Sequence, residues 1–113
     1  MLPDAHRQAA EDIEATVTAI QQDPRAARMV IEGCWGAVFH WIAYGTQTKH
    51  GQHHDHHSRL GSYLRQLGES TAATWWEGMD NTRQGGFYGQ GNNPGDVARA
   101  LTFLRSIRTW AIS

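Results

Sequence analysis

Residues 26–44 read AARMVIEGCWGAVFHWIAY, and this stretch decides the fold. Ala27, Val30, Ile31, Cys34, Val38, Trp41 and Ile42 recur at the three- and four-residue steps of an α-helix, and Trp35 and Phe39 widen the stripe. A helix that is apolar nearly all round has to be enclosed by others, so it reads as the central helix of an all-α domain. Gly33 and Gly36 each cost about 1 kcal/mol relative to alanine in a helix interior, and close packing against a neighbouring helix is the implied compensation. Asp23-Pro24, a capping carboxylate followed by proline at the first helical position, starts this helix, and Gly45 reads as its stop.

Outward from the central helix the same periodicity recurs. Upstream, Asp4 reads as a cap and Ile13, Val17 and Ile20, with Ala9 and Thr16, as the inner face of a helix ending near Gln22. Downstream, Thr46 to Asp55 reads as a polar loop. Leu60, Tyr63, Leu64 and Leu67 then follow the i, i+3, i+4, i+7 pattern up to Gly68. Ser70 reads as the cap of a fourth helix with Ala72, Trp75, Trp76 and Met79 inside. The segment from Gln84 to Gly95 holds five glycines and a proline and reads as a long loop. Asn93, Pro94 and Asp96 then start a last helix whose buried face is Val97, Ala100, Leu101, Leu104, Ile107 and Ala111. The expected architecture is a single domain over residues 1–113, a bundle of five helices near 4–22, 24–44, 57–67, 70–83 and 94–111, without a sheet.

Composition narrows the function classes. The net charge of −1 does not argue for a polyanionic partner such as DNA, although residues 83–113 carry four arginines against Asp96 alone and residues 1–32 six acids against three arginines. The single cysteine, Cys34, excludes an internal disulfide and reads as a buried small hydrophobe. The N-terminus MLPDAHRQAAEDIEA turns polar at once and no run approaches the roughly 18 apolar residues of a membrane span, so the cytoplasm is the expected compartment. Five tryptophans are hard to bury in one small core, and a homodimer with Trp110 or Trp76 in the contact is expected. Walker A, GxGxxG, HExxH and Ser-His-Asp signatures are absent, which leaves ATP hydrolysis and hydride transfer without their usual motifs.

Two clusters carry chemistry. In His50-Gly51-Gln52-His53-His54-Asp55-His56-His57, an early start of the third helix would set His53 and His57 at i, i+4, a spacing that can chelate zinc or nickel, with Asp55 as a further ligand. The opposing reading is a solvated loop with one structural histidine and no cofactor. In Asp80-Asn81-Thr82-Arg83-Gln84-Gly85-Gly86-Phe87-Tyr88, Arg83 offers a planar fork of donors beside glycines that let a ligand approach the backbone, an arrangement suited to a phosphate or nucleotide. The opposing reading there is an arginine paired with Asp80 or Glu77. His40, inside the central helix, reads as a hydrogen-bonded core residue, and Trp75-Trp76 as core and interface.

Together the segment Gly36 to Tyr44, with small residues before the Phe39-His40 pair, His57 before Ser58-Arg59-Leu60, Arg83 to Tyr88, and Val97 to Leu101 resemble a HEPN domain, the helical module of prokaryotic toxin–antitoxin systems. The resemblance spans most of the chain. It implies a HEPN-like up-and-down helical core and homodimers with the arginine motifs near the seam. It further implies an RNA- or nucleotide-related role, as the partner of a nucleotidyltransferase. Ribonuclease members carry a polar residue after the arginine and a histidine four to six residues beyond it. Here Gln84 follows Arg83 and Tyr88 stands in the histidine's place. A phenol with a pKa near 10 is a poorer acid–base group at neutral pH than imidazole near 6.5, so the resemblance implies binding rather than cleavage. The implied binding set is Arg83, Gln84, Tyr88, His57 and His40. Metal-independent RNA cleavage with His40 or His57 in the missing histidine's role, metal binding by the histidine cluster, and a purely structural pairing function are the alternatives.

Overall fold

In the computed structural model, which describes residues 2–54, 56–88 and 94–113 and only the backbone of 86–88 and 94, the chain forms five α-helices: α1 (Pro3–Ile20), α2 (Ala27–His50), α3 (Leu60–Gln66), α4 (Ser70–Tyr88) and α5 (Pro94–Ile112). No strand occurs among the described residues. The all-α bundle expected from periodicity is therefore observed.

The apolar stripe of α2 explains its place. Val30, Ile31, Cys34, Ala37, Val38, Trp41 and Ile42 are at most 1% exposed, and α1, α4 and α5 all pack against α2. Short α3 covers α4. Leu60 and Leu64 on α3, Ala72, Trp76 and Met79 on α4, and Ala100, Leu104, Ile107 and Ala111 on α5 complete one core, each at the position its helical spacing dictates. The radius of gyration, 13.4 Å, matches the roughly 13 Å of a compact chain of this length. Trp76 is a core residue, 3% exposed, which leaves Trp110 as the member of the expected contact pair with surface to offer.

Several boundaries differ from expectation. Gly45 does not end α2. A Cβ there would lie 2.6 Å from Cζ3 and 2.8 Å from Cη2 of Trp110, so this glycine serves the approach of α5 rather than a stop. The helix runs on through Thr46, fully buried, to His50, and Gly51 at φ +66° caps it with its N–H on the Gln47 carbonyl at 3.0 Å. Gly33 likewise admits Val17 of α1, whose Cγ2 would be 2.6 Å from an added Cβ; at Gly36 the nearest atom, Ile13 Cδ1, is 3.6 Å away, an ordinary contact.

On α1 the inner face is His6, Ala10, Ile13, Val17 and Ile20, with Ala9 turned aside and Thr16 exposed, and Asp4 sits in the first turn rather than capping it. Asp23 does cap, accepting the Arg25 N–H at 2.9 Å, but onto a single 3₁₀ turn, Pro24–Ala26. Arg59 in the left-handed conformation (φ 61°) delays α3 to Leu60, and Gly68 at φ +81° ends it as expected. Ser70 is the first residue of α4 rather than its cap. That helix continues past Arg83 to Tyr88, with Gln84 Nε2 donating one turn back to Asp80 at 3.2 Å. Asn93, the expected cap of α5, lies outside the described residues.

Candidate functional site

Trp35 is the centre of the site. It stands half-buried on the flank of α2, its indole N–H donating to Asp80 Oδ1 of α4 at 3.0 Å. Phe39, one turn on, stacks with it at 6.1 Å between centroids and 11° between planes, and Trp76 leans on it at 5.6 Å. The ring is thus locked by two helices before any ligand arrives.

Onto this ring the sequence delivers two of the expected binding residues. Arg83 of α4 lays its guanidinium 4.3 Å from the ring centroid, well inside cation–π range, and His57 from the segment before α3 meets the ring edge-on at 5.5 Å and 70°. Arg83 Nε donates to Glu32 Oε2 at 2.8 Å, so the ion pair is with α2 rather than with Asp80 or Glu77. Glu77 is taken by Arg65 through two bonds of 2.6 and 2.8 Å. The Arg83 and Glu32 side chains are 20% and 31% exposed, so an anion in solvent can reach the guanidinium in competition with the carboxylate. Gln84 is exposed, tied to Asp80. Tyr88 is the last residue of α4, and its side chain lies outside the described set.

His40 is one ring removed, in edge contact with Phe39 at 5.8 Å. Its partner is His6, with the two Nδ1 atoms 3.0 Å apart, so one ring donates and the other accepts. Burial pushes the His40 imidazole below its ordinary pKa and favours the neutral form there. His53 extends this group, 6.1 Å from His6 between centroids, and its Nδ1 is 2.7 Å from the Gln47 amide nitrogen.

The His53–His57 pairing expected at helical spacing loses its basis, because the residues described between Gly51 and Arg59 are not helical. His53 turns to Gln47, His54 stacks on Tyr63 at 4.3 Å, and His57 goes to Trp35. Asp55 lies outside the described residues, and among those described no three His, Cys, Asp or Glu side chains group closely enough to hold a metal ion. Sequence reading missed Glu32 and His6, and it offered Asp80 as a partner for Arg83 rather than as the acceptor of the Trp35 N–H. Glu32 had a visible signal, an acid in an otherwise apolar helix, whereas His6 had none before α1 was placed on α2. Cys34 is fully buried and burial pushes its thiol up to about 12, which fits the inert hydrophobe expected of it.

The fold and site define an all-helical domain with an arginine and a histidine gathered on one tryptophan. No family model, no curated protein and no solved structure matches the chain.

Proposed function

We propose that the chain is a HEPN-like binding module that takes a phosphate-bearing ligand, a nucleotide or a segment of RNA, at Arg83. The observation that carries this reading is the convergence of Arg83 and His57, two residues far apart in sequence, on the ring of Trp35. Arginine supplies charge and a planar donor fork, and a partly exposed indole beside it supplies a surface for a base. Glu32 holds the guanidinium in the absence of a ligand and gives way to a phosphate. Two substitutions of opposite sign test this. Arg83→Ala weakens binding of a short RNA or a mononucleotide by about 1.5–3 kcal/mol, the range for a charge-assisted hydrogen bond, while Glu32→Gln strengthens it by removing the competing anion. Equal, small effects from both would reject the site.

A second reading has its own support, since an arginine and an imidazole on one platform are the groups that metal-independent RNA cleavage needs, with His57 as the acid–base residue. RNA cleavage in the presence of a chelator, lost in His57→Ala, separates it from simple binding. The homodimer belongs to the same proposal. An apolar cleft of about 600 Å³ between α1 and α2, lined by Ile13, Val17, Ile20 and Met29, is bordered by Glu32, the partner of Arg83. A second copy seated there would bring the arginine motifs toward the seam. A nucleotidyltransferase partner remains part of the proposal through the family resemblance alone.

A further inference from the structure

A second cleft, of about 510 Å³, opens where the start of α4 meets the end of α5, and Thr71, Trp75, Arg105, Ser106, Thr109 and Trp110 line it. Its walls are two half-buried indoles on different helices. Trp110 is held firmly. Its N–H donates to Glu69 Oε1 at 3.1 Å, the Lys49 ammonium sits 5.7 Å from its ring centroid, and the ring rests on the backbone of α2 at Gly45. Glu69 itself is fixed by His50 at 2.9 Å and does not line the cleft.

Most of the polar groups of this cleft are not tied to other groups of the protein. Thr16, Thr48, Thr74, Thr82 and Thr102 each return the hydroxyl to the carbonyl one turn back. Among the described residues, Thr71, Thr109 and Ser106 make no such bond, nor does Thr18 on α1, and Arg105 makes neither a hydrogen bond nor an ion pair, which is also true of Arg28 and Arg59; Ser113, at the edge of the cleft, is bonded to Lys49 and to the Trp110 carbonyl. What sets Arg105 apart from the other unpaired arginines is its place: it lies with the Thr71 and Thr109 hydroxyls, all three exposed, in a cleft beside two half-buried indoles, a pairing of aromatic surface and available charge that suits a small ligand.

We propose that the Trp75–Trp110 cleft binds a flat aromatic ring that carries one anionic group, the ring against the indoles and the anion on Arg105 with the Thr71 and Thr109 hydroxyls beside it. The ring can be a nucleobase with its phosphate or an aromatic carboxylic acid, since both present the same chemistry. This site is separate from Arg83 and does not rest on the function proposed there.

The test is a titration of the full chain, followed by the indole N–H resonances, with adenosine monophosphate and with indole-3-carboxylate. Adenosine and inorganic phosphate are titrated alone alongside. Saturable shifts of the Trp75 and Trp110 signals are expected with one or both anionic ring compounds, and which of them saturates tells the phosphate source from the carboxylate. Binding should fall about tenfold or more in Arg105→Gln and by a similar factor when the ligand loses its anion, so the ligand-side comparison gives the answer without any change to the protein. Trp75→Ala should weaken both, with the helical circular dichroism unchanged. The proposal is overturned if no saturable shift appears at millimolar ligand. It is also overturned if the shifts centre on Trp35 and vanish in Arg83→Gln but not Arg105→Gln, or if the Trp110 signal follows protein concentration alone, as a contact between copies would make it do.

Discussion

Gly45 and Gly85 both lie inside helices at ordinary helical φ, and replacing each by alanine separates two effects that glycine usually mixes. In either case alanine should gain roughly 1 kcal/mol of helix propensity, because the unfolded chain loses freedom and the helix does not. At Gly85 nothing among the described residues lies within 4 Å of the added Cβ, so the gain is the whole effect. At Gly45 the methyl would stand 2.6 and 2.8 Å from two carbons of the Trp110 ring and 3.3 Å from Ala111 Cα, against the 3.5–4.0 Å of an ordinary carbon contact. The indole cannot simply swing away, since moving it strains its bond to Glu69 and its contact with Lys49. Overpacking of this kind costs about 1–3 kcal/mol, and weakening the Glu69 bond adds about 1 kcal/mol more. Net of the propensity gain, Gly45→Ala should destabilise by about 1–3 kcal/mol and Gly85→Ala should stabilise by about 0.5–1 kcal/mol. Urea titration followed by circular dichroism measures both, and indole fluorescence reports the displacement of Trp110. If Gly45→Ala proved as stable as Gly85→Ala, the close passage of α5 over α2 would be wrong and with it the reason that α2 continues past residue 45.

Other consequences follow from the same contacts. Because burial holds His40 below its ordinary pKa, the unfolded chain binds the proton more readily. The contribution of this group is therefore fully present above about pH 6.5 and declines as pH falls toward its folded value. Urea midpoints measured from pH 7.5 down to 5 should fall, and less so in His40→Gln; equal pH dependence in the two would refute the assignment. Cys34, with its thiol raised to about 12, should not react with a thiol reagent in the native protein and should react fully in denaturant. Met29, 55% exposed on the rim of the α1–α2 cleft, should be needed for self-association: Met29→Glu should shift sedimentation from dimer to monomer with the fold intact, and a wild-type monomer at tens of micromolar would remove the dimer.

Local chemistry set most of the fold. The stripe from Val30 to Ile42 can be satisfied only by enclosure, and the periodic faces of α1, α4 and α5 supply the enclosing surfaces, largely at the residues their spacing names. Local signals were legible where their partners were local, as in the Asp23 cap, which nonetheless opens a 3₁₀ turn ahead of α2, and in the Gly68 stop, and illegible where they were not. Gly45 carries the same letter as Gly68, but one meets a tryptophan 65 residues later in the chain and the other meets solvent, and no local rule tells them apart. The site divides in the same way. Arg83 and His57 are recognisable from residue type and from their neighbours in sequence. That both rest on Trp35, that Glu32 rather than Asp80 or Glu77 takes the guanidinium, and that His40 turns to His6 are outcomes of how α1 and α4 pack on α2. A side chain's partner is set by distance in space, and in a helical bundle that distance is fixed by the packing of faces whose residues, as in His6–His40 and Glu32–Arg83, lie 34 and 51 positions apart.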